Sequence, residues 1–294
     1  MIKIILISPI NSKRKYADIM ENKIRLIATD LDFTLLNADK EVSERNRRAL
    51  ELAAKKGIHI VPATGRFYGG MPECIKSMVF IRYIISINGA CVFDLKEDKE
   101  IFKAEIPKET AVDFIEFTEN YPVAFDCYMN NVSYMNSTFI AEAERYAPDR
   151  YYLDMFKNLR IPVGDLKQVI KESEHDVQKI QWFLTDMSKK EEYMRKIASE
   201  FPEFMVSSSV PKNIEINIKK ANKGEALTAL ANYLDIPVEC TAAFGDGSND
   251  LTMIRHAGVG IAMGNAIEEV KAAADIITLP YDEDGVAYGI EKLG

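Results

Sequence analysis

Short apolar runs alternate with amphipathic stretches over the first third of the chain. Ile24 to Thr29 is apolar and rich in β-branched residues, which predicts a strand buried on both faces. Ser43 is placed to cap a helix running through Lys56, with Leu50, Ala53 and Ala54 on one face and Gly57 just past the end. Two further strands are predicted, Ile58 to Ala63 running into Thr64-Gly65-Arg66, and Tyr83 to Ile87 running into Asn88-Gly89-Ala90. Alternation of this kind implies a parallel sheet covered by helices.

The rhythm changes at Cys91. Cys91 to Leu95 and Ile101 to Ile106 flank the polar Lys96-Glu97-Asp98-Lys99 and predict a hairpin. Strands at Val123 to Tyr128, Lys179 to Thr185, Phe204 to Ser208 and Ile214 to Ile218, with helices near 108–119 and 188–200, predict an α+β module with antiparallel pairing. After Asn222 the strand–helix alternation returns: helix 223–234, strand Thr241 to Phe244, helix 249–256, strand Val259 to Ala262, helix 266–273, strand Asp275 to Thr278 and a last helix. The pattern predicts an α/β domain over 22–90 and 215–294, interrupted by an inserted module over 91–214. Residues 1–21 stand apart as an extension. There an apolar run, Ile4 to Ile10, precedes Ser12-Lys13-Arg14-Lys15, the reverse of a signal peptide's order, and Met20 is an alternative start of translation.

Composition narrows the function classes. With 294 residues, 47% of them hydrophobic, the chain is long enough to bury a core in each part. A net charge of −8 offers no electrostatic footprint for nucleic acid. Cys74, Cys91, Cys127 and Cys240 have no zinc or redox spacing, which implies reduced structural thiols in a cytoplasmic protein. No run approaches the roughly 20 apolar residues of a membrane span. The expected partner is a small molecule, and the expected state is a monomer or homodimer.

Ligands of an open parallel sheet bind beyond the carboxyl ends of its strands. Those ends carry Asp30-Leu31-Asp32, Thr64-Gly65-Arg66, Asn88-Gly89 and Gly245-Asp246-Gly247-Ser248-Asn249-Asp250, while Lys223 opens a helix entering the same sheet. Taken singly, each Asp reads equally well as a turn residue, Asn249 as a helix cap and Lys223 as a solvated helix start. Taken together, carboxylates at two strand ends would repel one another. A hard, oxygen-bound cation such as Mg²⁺ resolves that repulsion.

Asp30-Leu31-Asp32-Phe33-Thr34-Leu35-Leu36 resembles the first motif of the haloacid dehalogenase-like hydrolases, Asp-x-Asp-Gly-Thr-Leu. Thr64-Gly65-Arg66 resembles their second motif, Asn222-Lys223-Gly224 the third, and Gly245 to Asp250 the fourth. The insertion between motifs two and three is similar to the C2-type cap of the Cof-type phosphatases. Asn88-Gly89-Ala90, Met263-Gly264-Asn265-Ala266 and Asp282 to Ala287 are similar to that subfamily too. The resemblance implies a Rossmann-like α/β core with an inserted α+β cap, and a Mg²⁺-dependent phosphatase acting on small phosphorylated metabolites such as sugar phosphates or phosphorylated cofactors. It implies Asp30 as nucleophile, Asp32 as general acid/base, and Thr64 and Lys223 on the phosphoryl group. Gly65, Arg66, Asn88, Gly89 and Asn249 would complete the substrate site. Asp30, Asp246, Asn249 and Asp250, with the carbonyl of Asp32, would form the metal shell. A phosphomutase of the same superfamily and a non-catalytic metabolite-binding protein on this fold stay open as alternatives.

Phe33 departs from the motif's glycine, and the adopted reading is a backbone conformation that accepts any residue. His59, His175 and His256 are isolated and read as neither ligands nor catalysts, and Trp182 reads as core. Tyr128, Met129, Tyr134 and Met135 are candidates for the lining of the substrate pocket.

Overall fold

A computed structural model describes residues 23–147 and 150–293. The extension predicted over 1–21 lies outside them. The described residues form two compact units: one takes residues 23–64, Met71–Lys103 and residues 222–293, and the other takes Gly65–Gly70 and the described residues of Ala104–Ala221.

The first unit is built on a five-stranded parallel sheet in the order Ile276–Ile277, Val259–Ala262, Thr241–Gly245, Leu26–Thr29, His59–Pro62. Leu26–Thr29 is an interior strand, paired on both sides and wholly buried, which explains its unbroken apolar run. Thr29 pairs with Phe244 on one side and Pro62 on the other. The register therefore delivers Asp30, Gly245-Asp246 and Ala63-Thr64 to the same edge of the sheet. The helix Glu44–Lys55 forms as expected: the Ser43 Oγ accepts from the Asn46 N–H, and Leu50 and Ala53 are buried.

Tyr83–Ser86 does not extend the parallel ladder. It meets that sheet at one bridge, Ala63 to Ile85, and pairs antiparallel with Cys91–Asp94, which pairs in turn with Lys99–Lys103. The reason is the turn between them. Ile87, Asn88 and Gly89 take φ of 53°, 58° and 93°, so the chain reverses at once and the next strand returns alongside. The hairpin expected to open the inserted module thus lies in the first unit.

The second unit carries a six-stranded sheet in the order Phe204–Ser207, Asn213–Ile218, Lys179–Leu184, Val123–Met129, Val132–Asn136, Arg160–Val163. Alternation sorts its two faces. Cys127, Ile180, Trp182, Ile214 and Ile216 turn to one side and form a core with Phe114, Ile170 and Ile197 from helices. Trp182 is buried there as expected, stacked on Phe114, with its Nε1 donating to the Thr118 Oγ1. The same alternation corrects the pocket-lining candidates. Met129 belongs to this core, Met135 to a smaller core on the opposite face with Phe156 and Phe183, and Tyr134 packs against the first. Tyr128 is buried too, its hydroxyl donating to the Gln181 Oε1 and accepting from Arg160.

Candidate active site

The site assembles within the first unit at the carboxyl edge of its parallel sheet. Lys223 is the first residue of the helix Lys223–Tyr233, fixed by its neighbour Asn222, whose side chain accepts from the Glu225 N–H. The Lys223 side chain is fully buried, and its Nζ donates to the Asp30 Oδ1 and the Asp250 Oδ1, both at 2.6 Å. The Asp250 Oδ2 accepts from the backbone N–H groups of Asp246 and Gly247, each at 2.9 Å, and so shapes the loop that carries Asp246. Asp30, Asp246 and Asp250 offer carboxylate oxygens that all lie within 4.8 Å of one another. Among the described residues no histidine or cysteine joins them.

Three carboxylates against one ammonium leave two negative charges, and the electrostatics register that excess. Burial, reinforced by the charges of Asp250 and Asp246, pushes the Asp30 carboxyl well above the usual range despite the opposing pull of Lys223. Burial and the Asp250 charge push Asp246 up to about 7, against the pull of the Thr34 hydrogen bond and Lys223. Burial acts to lower Lys223, but Asp250 and Asp30 outweigh it and hold the ammonium above its ordinary range. An all-oxygen cluster with surplus negative charge fits a hard divalent cation.

Two side chains that the sequence reading left out of the site hold Asp246. The Thr34 Oγ1 donates to its Oδ1 at 3.1 Å, and the Asn265 Nδ2 approaches its Oδ2 at 3.4 Å while donating to the Phe33 carbonyl at 2.9 Å. Both stand inside motif-like runs, Thr34 in the first motif and Asn265 in Met263-Gly264-Asn265-Ala266, so a signal was present. Asp32 stands apart from the carboxylate cluster and pairs with Lys40 at 2.9 Å. Lys40 carried no signal at all.

Phe33 takes φ of 60°, so the expected conformation open to any residue is wrong. The amides of Thr34, Leu35 and Leu36 all point at the Leu31 carbonyl, and a turn that tight forces the left-handed region. A side chain there costs about 1–2 kcal/mol relative to glycine.

Thr64 is buried beside the cluster's edge of the sheet, its N–H bound to the Ile85 carbonyl and its carbonyl accepting from the Asn88 N–H. The Asn88 Oδ1 lies 3.4 Å from the Asn249 Nδ2. Gly65 and Arg66 belong to the other unit: the Lys179 Nζ donates to the Gly65 carbonyl at 2.7 Å, and the Arg66 guanidinium donates to the Gly70 carbonyl at 2.9 Å.

Gly89 supports the site from behind. A Cβ on it would meet the Asn222 carbonyl at 2.3 Å, and its φ of 93° excludes most side chains. Gly89→Ala is expected to cost about 2–3 kcal/mol by overpacking. A urea unfolding midpoint equal to the parent's would contradict that close approach.

The sequence profile of the haloacid dehalogenase-like hydrolases matches residues 27–290, nearly the whole described chain. The chain belongs to the haloacid dehalogenase-like hydrolases. Within them it is of the Cof type, and it is a phosphatase. Phosphatase YwpJ of Bacillus subtilis is 32% identical over 92% of this hydrolase and 100% of its own length. The 5-amino-6-(5-phospho-D-ribitylamino)uracil phosphatase YitU of the same organism is 30% identical over 91% and 97%. Among solved structures, a haloacid dehalogenase-like hydrolase from B. subtilis matches with a TM-score of 0.78 and 31% identity, over 91% of this chain and 99% of its own. The sugar phosphatase BT4131 matches with a TM-score of 0.75 and 25% identity, over 91% and 98%. Among the described residues of this hydrolase no helix is long and apolar enough to cross a membrane.

Proposed function

We propose that this phosphatase hydrolyses phosphate monoesters of sugars or of sugar-derived chains through an aspartyl-phosphate on Asp30. The observation that carries the reading is the Asp30 carboxylate, buried at the end of the interior strand Leu26–Thr29 and held by Lys223 at 2.6 Å within the acidic cluster. An Asp30 oxygen attacks phosphorus while the ester oxygen leaves and takes a proton from Asp32. Water then attacks the same phosphorus, Asp32 takes its proton, and the bond to Asp30 breaks to release phosphate. The division into two displacements avoids one difficult one. Lys223 and Thr64 hold the phosphoryl oxygens, since phosphoryl transfer depends chiefly on positioning and charge stabilisation. Asp30, Asp246 and Asp250 would hold Mg²⁺, with the Asp32 carbonyl and Asn249 nearby. When bound, Mg²⁺ supplies positive charge against the phosphoryl oxygens.

The substrate class rests on two relatives of different preference. One is a sugar phosphatase and one acts on a phosphoribityl compound, so the common element is a phosphate on a polyhydroxylated carbon chain. Four free cysteines support a cytoplasmic setting. A screen of sugar phosphates, flavin mononucleotide, pyridoxal phosphate and nucleotides, with Mg²⁺ or with EDTA, tests the reading. Mg²⁺-dependent release of phosphate, fastest from sugar-like esters, is the expected result. No turnover across the panel would favour a binding protein instead.

A further inference from the structure

Phe33 carries a side chain where the backbone favours none, and that side chain is 44% exposed, so burial does not explain it. The ring instead meets two partners. The Lys40 Nζ lies over it, 4.9 Å from the centroid, and Tyr281 meets it edge-on at 5.7 Å. Lys40 itself has φ of 62°, and its Nζ is 2.9 Å from the Asp32 Oδ1. Tyr281 is fixed in turn, its N–H donating to the Asn265 Oδ1, and the Asn265 amide donates to the Phe33 carbonyl. Two backbone positions in the left-handed region therefore carry the ring and the ammonium that it faces, and the ammonium reaches one Asp32 oxygen. Strain of this kind persists where the surroundings over-determine it and a site uses it.

We propose that Phe33 and Lys40 are positioning residues for Asp32: the ring steadies the ammonium, and the ammonium holds the carboxylate where it accepts the proton of the water that attacks the aspartyl-phosphate. The inference rests on the reading of Asp30 and Asp32 given above and adds the device that aims Asp32. The step it serves is balanced within that reading: the water O–H bond breaks, its oxygen joins phosphorus, its proton goes to Asp32, and the Asp30–phosphorus bond breaks.

The position of this step in the sequence gives the test its resolution. kcat/KM reports events through the first irreversible step, the transfer to Asp30, whereas kcat includes hydrolysis of the intermediate. With p-nitrophenyl phosphate the leaving group needs little protonation, so the first step does not depend on how Asp32 is held. Lys40→Met is expected to lower kcat about tenfold while kcat/KM stays within about twofold, with a burst of nitrophenolate before steady turnover. Lys40→Arg keeps a cation and is expected to recover most of kcat. Phe33→Gly is expected to move two readouts in opposite directions: Tm rises by about 2–4 °C as the left-handed position is relieved, and kcat falls about threefold as the ammonium loses its ring.

A purely structural role moves stability and activity together, so that opposition is specific. The proposal is overturned by an unchanged kcat in Lys40→Met, by kcat and kcat/KM falling in parallel, or by Phe33→Gly gaining stability at no cost in kcat. A parent enzyme that releases no nitrophenolate would instead overturn the reading of Asp30 and Asp32, and the inference with it.

Discussion

Asp30→Asn is expected to abolish turnover, by at least about 10³-fold in kcat, and to leave the protein folded with an equal or higher Tm. The two halves follow from the same geometry. Asparagine keeps the shape but offers no anionic oxygen to attack phosphorus, so the first displacement has no nucleophile. The Asp30 carboxylate is also a burden on the fold, since burial and the charges of Asp250 and Asp246 all disfavour its ionised form. Removing that charge relieves the repulsion while Lys223 keeps Asp250 as its partner at 2.6 Å. Activity bought at some expense in stability is common at such sites. Steady-state kinetics with a thermal melt checks both halves. Residual activity near the parent's, or a marked drop in Tm, would contradict this account of Asp30.

Lys223→Met is expected to lose activity and stability together. Its ammonium neutralises two buried carboxylates, and removing one member of a buried charge network costs about 3–5 kcal/mol. The pH dependence has a definite sign. Asp30 and Asp246 have folded-state affinities for protons above their unfolded ones, so the native state binds more protons between the two. For such raised acids stability is greatest below the unfolded carboxylate range of about 4 and falls as pH rises, for Asp246 until about 7. Loss of Lys223 enlarges this penalty, so the gap between variant and parent, measured with EDTA present, is expected to widen from pH 5 to pH 8. A gap that is constant with pH would mean that Lys223 does not neutralise these acids.

Much of this arrangement was legible in the residues. Buried parallel strands read as continuous apolar runs, and Leu26–Thr29 does so because it lies inside the sheet with a neighbour on each side. The polar residues that end such runs then stand out, which is how Asp30, Asp246 and Lys223 could be named together. What the residues concealed depends on backbone sign and on distant pairing. Asn88-Gly89 between two apolar runs is itself a hairpin signal, but it was read as a strand-end motif facing the ligand crevice, so Tyr83–Ser86 read as another parallel strand rather than the start of a hairpin. Phe33 was misread because a bulky residue does not advertise a left-handed turn. Val132–Asn136 and Arg160–Val163 escaped because their mixed sequences lack a clean period of two. Lys40 escaped because only the folded loop returns it to Asp32, eight residues earlier.

The claim on which everything else depends is covalent attachment of phosphate to Asp30. It is tested most directly by mixing enzyme with p-nitrophenyl phosphate, quenching in acid within one turnover, reducing with borohydride and mapping the peptide by mass spectrometry. Asp30 alone is expected to be converted to homoserine, with the modified fraction rising and decaying in step with turnover. Complete turnover with Asp30 unmodified throughout, or modification at another carboxylate, would contradict it.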